Sequence, residues 1–222
     1  MSQPIKKTIG FVGFTVILST LIGLGAWQIQ RLEWKSNIIA TLDEEYAHNP
    51  KEQLFTFEAL NALENIEQPI KYGSVKGRYL GQKEIYLGPK TQDRVIGYHV
   101  ITPLKMKNGV ILVNRGFTPQ KDGQIEKLSL PRGLTKVSGL IRKPDWNRFT
   151  PENSPENNIW IRPDIAQIAQ AKGLPKIAPV MVYEGAKKWY PRNKHMQYAM
   201  FWLALATIWS GFGIYLGLLR KK

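Results

Sequence analysis

The sequence predicts an α+β protein in which two transmembrane helices flank one extracytoplasmic domain, itself a mostly antiparallel sheet with a few helices. Three observations predict it. Two charge-free and largely apolar runs, Thr8–Gln30 and Met196–Leu219, stand near the ends of the 222-residue chain. All 17 acidic residues fall between Glu33 and Glu184, so the polar part is central. Within that part, short β-rich stretches are punctuated by Gly and Pro. The expected parts are a first span over 8–30, a domain over 31–195 and a second span over 196–219.

The run Thr8–Gln30 has 23 residues, roughly 35 Å of helix, enough to cross a hydrocarbon core about 30 Å thick. Lys6 and Lys7 before it, and the small-x-small Gly23-Leu24-Gly25, also suit a cleaved signal peptide. The apolar stretch is longer than a usual signal core, which favours a retained anchor. Beyond it, Leu32, Ile38, Ile39, Leu42 and Tyr46 keep helical spacing, so the helix continues and stops near Asn49-Pro50. A second helix is expected over Lys51–Leu63. Strands are expected over Ile70–Tyr79, Lys83–Leu87, Val95–Leu104, Val110–Asn114, Lys136–Ile141, Asn158–Ile161 and Val180–Tyr183. Between the last two, Asp164 with Gln167 reads as a capping box, Ala166–Ala171 as a helix and Gly173 as its stop.

Met196–Leu219 has 24 residues without a charge. Trp27 and Trp34 on one side, and Trp189, Tyr190, Tyr198 and Trp202 on the other, make aromatic belts at the domain ends of the two spans. Ser19 with Gly23, and Gly213 with Gly217, are small pairs that would let the spans pack closely. The tails carry Lys6, Lys7, Arg220, Lys221 and Lys222 and no acid. Arg31, Lys35, Lys187, Lys188, Arg192 and Lys194 flank the spans on the loop side. A loop of 165 residues translocates largely regardless of its charge. Both termini are therefore expected in the cytoplasm and the domain in the periplasm, with a bacterial inner membrane as the simplest home.

Lys plus Arg number 31 against 17 Asp plus Glu, a formal net charge of +14. The basic residues are dispersed and form no nucleic-acid module, so anionic lipid or an acidic protein is the expected counterpart and nucleic acid is not. There is no cysteine, which excludes disulfides, thiolate metal sites and a cysteine nucleophile. No nucleophile elbow, Walker loop or dinucleotide fingerprint occurs. His48, His99 and His195 have no metal-ligand spacing. No catalytic residue is assigned, and an enzyme is not expected.

His195 opens the second span, with Tyr198 at i+3 and Trp202 at i+7 on the same helical face. Neutral imidazole ligates haem iron, a flat macrocycle suits an aromatic face, and Arg192 or Lys194 one turn away would pair with a propionate. The competing reading makes His195 one more belt residue, and these residues alone favour the belt. Arg115, in Val113-Asn114-Arg115-Gly116-Phe117, reads either as a solvated charge at a strand end or as a buried Arg paired with a carboxylate. His99 reads as a histidine at the core edge.

Five strings together resemble the surfeit locus protein 1 family of cytochrome c oxidase assembly factors. They are Gly25-Ala26-Trp27-Gln28-Ile29-Gln30-Arg31-Leu32-Glu33-Trp34-Lys35, Gly77-Arg78-Tyr79, Gly97-Tyr98-His99-Val100-Ile101-Thr102-Pro103-Leu104, Val113-Asn114-Arg115-Gly116-Phe117-Thr118-Pro119, and Asn193-Lys194-His195-Met196-Gln197-Tyr198-Ala199 with Trp202. They stand in the family's order; Phe117 takes the place of a Trp found in many members. The resemblance implies a membrane-anchored factor that binds haem a and aids its insertion into the catalytic subunit of a haem–copper oxidase. Its partners would be that subunit and the enzyme that makes haem a. It turns the reading of His195 toward an axial haem ligand, with Tyr198, Trp202 and Arg192 around the macrocycle. The lack of cysteine fits the haem side of oxidase assembly better than copper delivery. A haem-free scaffold for an assembly intermediate is the main alternative, and a membrane-anchored hydrolase or sensor a more distant one.

Overall fold

The computed structural model describes residues 3–48, 53–67, 69–185 and 190–219, and side chains within 8–48, 53–67, 69–185 and 190–217. The expected helix stop at Asn49-Pro50, the start of a helix at Lys51, and the roles given to Trp189, Lys187, Lys188 and the terminal basic side chains lie outside those residues. The chain divides into two units, Met1–Thr41 with Tyr190–Lys222, and Leu42–Trp189.

The first unit holds most of α1 (Gln3–Ala47) and all of α4 (His195–Leu219). Both are long and apolar enough to cross a membrane. They run antiparallel: Phe14 stacks on Trp209 with ring centroids 5.4 Å apart, and the Trp209 indole donates to the Phe14 carbonyl at 3.2 Å. Small residues allow the approach. Ala199 and Ala206 are buried, a Cβ added to Gly25 would lie 3.1 Å from Leu203, and one added to Gly213 would strike the Phe14 ring. Of the two small pairs expected to pack the spans, only Gly213 does so; Gly23 and Gly217 have open space where a Cβ would be.

The second unit is α+β. Its strands are β1 (Ile70–Tyr79), β2 (Ile85–Gln92), β3 (Val95–Lys105), β4 (Val110–Lys121), β5 (Gln124–Ile125), β6 (Thr135–Arg142) and β7 (Ile177–Glu184). They lie in the order β2-β3-β1-β6-β7-β4-β5, and β3 also pairs with β4. The pairing β3–β4–β7–β6–β1–β3 therefore returns to its start, and the five strands close on themselves. The sheet is mixed, because β4 and β7 run parallel while the other pairs are antiparallel.

Closure makes two cores. Val75, Leu104, Ile111, Val113, Val137, Ile141, Val180 and Val182, drawn from all five closing strands, pack together with Leu60 and Leu63 from the short helical segment before the sheet. On the opposite face of β4 and β7, Val110, Leu112 and Met181 meet Ile85, Leu87, Trp160 and Ile168 of α3 (Ile165–Lys172). Strands buried on both faces lose the period-2 pattern, and residues 110–114 are all buried.

Three expectations are corrected. The helix expected over Lys51–Leu63 begins only at Phe57, where Thr56 caps α2 (Phe57–Asn61), and a 3₁₀ turn follows over Ala62–Asn65. Leu54 instead bridges Ser74 in an extended conformation. Asn158–Ile161 is not a strand: Asn158 is left-handed, and the Asn153 Oδ1 accepts the Ile161 and Arg162 N–H groups at 2.7 and 2.8 Å, which replaces a ladder. Asn114-Arg115-Gly116 does not end its strand. It is a bulge with Gly116 at φ +106°, after which β4 resumes pairing from Phe117. The helix at Asp164 forms as expected, with Gly173 left-handed at its end. Only half of its capping box closes, because Gln167 Oε1 takes the Asn153 amide at 2.7 Å instead.

Candidate functional site

Every residue assigned to the candidate haem site lies in the unit formed by α1 and α4. The close approach at Gly25 brings Gln28 of α1, which is 8% exposed, against the first turn of α4. There its Oε1 stands 2.6 Å from His195 Nδ1. An amide oxygen only accepts, so Nδ1 carries the hydrogen and donates it, and the lone pair resides on Nε2. Among the described residues His195 has no second side-chain partner on its ring. Two turns along α1, Lys35 Nζ donates to the Arg192 carbonyl at 2.8 Å. Asn193 reaches the Leu32 carbonyl and the Ser36 hydroxyl at 3.5 and 3.4 Å. Gln28, Leu32, Lys35 and Ser36 recur at helical spacing, so one stripe of α1 holds the segment leading into α4.

The structure brings His195 and Trp202 to α1; the Trp202 Cβ lies 3.9 Å from the position a Cβ at Gly25 would take. Tyr198 is 52% exposed. Arg192 is tied down by its main-chain carbonyl, and its side chain has no ion pair among the described residues. Arg31 lies with its guanidinium 4.1 Å from the Trp34 ring centroid, and both Arg31 and Lys35 are electrostatic neighbours of the imidazole. Gln28 was missed as a partner of His195. The available signal was an amide near the end of a largely apolar run, but Gln30 carries the same signal and is exposed, so only the helix packing singles out Gln28.

The second unit contains two further clusters. Arg115 continues the face of Ile111 and Val113, and its side chain is 6% exposed. It pairs with Glu84 at 3.3 Å, lies 4.0 Å from Glu184, donates to the Ser129 carbonyl and stacks over the Tyr79 ring at 5.2 Å. The buried-Arg reading of the sequence is the one the fold adopts. Burial, and then the neighbouring Glu184 carboxylate, push the Tyr79 hydroxyl up, so it stays protonated and donates to Glu184 at 3.1 Å. Thr102 and Tyr86 donate to Glu84 at 2.6 and 3.1 Å. The three hydroxyls and Arg115 Nη1 are spent on the two carboxylates and Nη2 on Ser129, while the buried Arg115 Nε, 4.0 Å from Glu184, has no hydrogen-bond partner among the described residues; the cluster ties β1, β3, β4 and β7 together.

His99 lines a cleft of about 450 Å³ floored by Leu87, Leu140 and Met181. Its Nδ1 lies 3.3 Å from Asn114 Oδ1, which also accepts the Gly116 N–H at 3.0 Å. Burial holds the imidazole below the usual histidine range. Among the described residues no three His, Asp or Glu side chains converge as a metal site would require.

Comparison with known proteins covers both units. The model of the SURF1 family matches residues 15–207. Surfeit locus protein 1 of Mus musculus is 33% identical over 223 residues, spanning 88% of this chain and 71% of the mouse protein. Surfeit locus protein 1 of Homo sapiens is 31% identical, with 86% and 72% covered. A SURF1-like protein of Drosophila melanogaster is 26% identical, with 92% and 77% covered.

Proposed function

The chain belongs to the SURF1 family, and from that premise we propose that it is a membrane-anchored assembly factor of cytochrome c oxidase which holds haem a at His195. It passes that haem, as cargo, toward the catalytic subunit of the oxidase, and it is not an enzyme. The observation that carries this reading is the 2.6 Å hydrogen bond between Gln28 and His195. Metal-bound histidines characteristically donate their second ring N–H to a fixed oxygen, which sets the tautomer and raises ligand basicity. Gln28 supplies that oxygen from the neighbouring span and leaves Nε2 as the ligating atom.

The surrounding residues fit a haem. Tyr198, half exposed at the mouth of α4, and Trp202 supply aromatic surface beside His195. Arg192, Arg31 and Lys35 supply positive charge for the propionates. In this reading α1 and α4 cross a bacterial inner membrane with both termini in the cytoplasm and the sheet domain in the periplasm. The enzyme that makes haem a delivers the cargo, and Arg31, Lys35 and Lys194 lie where anionic lipid head groups begin.

The test is complementation of a strain lacking the chain. The wild type restores oxidase activity and haem a in the oxidase, whereas His195→Ala, present at normal level in the membrane, restores neither. Full complementation by His195→Ala would leave the protein as a haem-free scaffold.

A further inference from the structure

A second surface, in the sheet domain, concentrates positive charge. β1 sets Lys76 directly opposite Lys136 of β6, and Arg78 directly opposite Lys105 of β3. Like charges placed face to face across a ladder weaken it. Lys76, Arg78 and Lys105 are exposed and have no carboxylate partner among the described residues. Among the described residues that line this surface the carboxylate is Glu58, which accepts from the Asn108 amide and interacts electrostatically with Lys107, a further cation.

The three cations line a groove of about 750 Å³. Its apolar walls include Leu54 and Leu134, which are 53% and 58% exposed. Its floor is an interruption in the β1 ladder. On this edge β1 bonds the Gln53–Phe55 segment through Ser74 and meets β3 from Arg78 onward. Between those points, among the described residues, the main chain of Lys76 has no ladder partner on this edge. The groove thus offers cations, apolar walls and a main-chain donor and acceptor to one occupant.

We propose that this groove binds an extended acidic segment of a protein partner, with carboxylates on Lys76, Arg78 and Lys105 and apolar side chains against Leu54 and Leu134. A lipid surface would also meet the charge, but a bilayer is flat and would reach only the rim, whereas an extended peptide enters a concave groove and uses its main-chain groups. Repulsion between Arg78 and Lys105 across the β1–β3 pair is relieved when the partner's carboxylates arrive, and charge complementarity of this kind sets specificity and association rate. The inference is independent of haem.

The experiment uses the full chain in detergent micelles and a fluorescein-labelled peptide of alternating Glu and Val, with a Lys and Val peptide as control. Anisotropy titration gives salt-sensitive binding of the acidic peptide alone. Lys76→Glu with Arg78→Glu weakens it at least about tenfold. Lys121→Glu with Lys127→Glu, an equal charge change elsewhere on the surface, leaves it within about twofold. All four sites are exposed, and thermal melts verify that both variants fold. No binding by the wild type, or equal loss in the two double variants, overturns the proposal. So does a groove variant that changes only binding to phosphatidylglycerol vesicles, which would assign the charge to lipid.

Discussion

Removing the guanidinium of Arg115 leaves Glu84, 16% exposed, facing Glu184 with no counter-charge between them. Arg115→Ala is expected to cost about 3 kcal/mol or more, because an uncompensated buried charge is dearer than the pair was worth. Arg115→Lys recovers only part of this, since an ammonium cannot reach Glu84 and the Ser129 carbonyl as a fork. Denaturant unfolding of the detergent-solubilised chain, followed through buried Trp160, measures both. His99 gives the pH dependence. Burial lowers its affinity for a proton, so below the ordinary histidine value of about 6.5 the unfolded chain binds more protons than the folded one. Stability is therefore full above that value and declines as pH falls toward the folded pKa. His99→Asn flattens the slope of melting temperature against pH in that window, and an unchanged slope would show that His99 is solvated. The sequence showed Arg115 and His195 as residues of interest, but not their partners. Glu84, Glu184 and Gln28 are distant along the chain and meet them only through strand pairing and helix packing.

The helices and the strand cores were legible because their signals are local. Asp164 and Gly173 delimit α3 by capping chemistry, and the two charge-free runs fall within α1 and α4, the two helices long and apolar enough to cross a membrane. The misreadings have a common cause. At Gly116 a glycine that reads as a strand end is used to insert one residue and continue the strand, and only the pairing with β3 distinguishes the two. At Thr56 and Asn153, side chains claim main-chain N–H groups that periodicity assigned to a helix or a ladder. The choice of packing glycines is likewise a matter of facing: Gly213 meets Phe14, whereas Gly217 four residues on meets nothing. Gly213→Leu is expected to separate the spans at a cost of about 1–3 kcal/mol, and Gly217→Leu to be near neutral. Melting of the two variants in mild detergent, with tryptophan emission reporting the Phe14–Trp209 stack, tests the difference; equal effects would contradict this packing.

Closure of the sheet was the least legible feature, because it depends on the parallel β4–β7 pair and the two-residue β1–β3 contact, which join segments far apart in sequence. The proposed topology has a clean assay, since the chain contains no cysteine. In spheroplasts, Lys121→Cys reacts with a membrane-impermeant maleimide, while Ser2→Cys reacts only after the membrane is opened; the reverse pattern would invert the orientation. The central claim, that His195 held by Gln28 is a haem a ligand, is tested most directly by one measurement. It is the reduced-minus-oxidised spectrum, with extraction of the haem, of the full chain purified from cells making haem a. The account predicts haem a near one per chain in the wild type, none in His195→Ala, and affinity lowered about tenfold or more in Gln28→Leu. Haem a retained in His195→Ala, or absent from the wild type despite its presence in the cells, would contradict it.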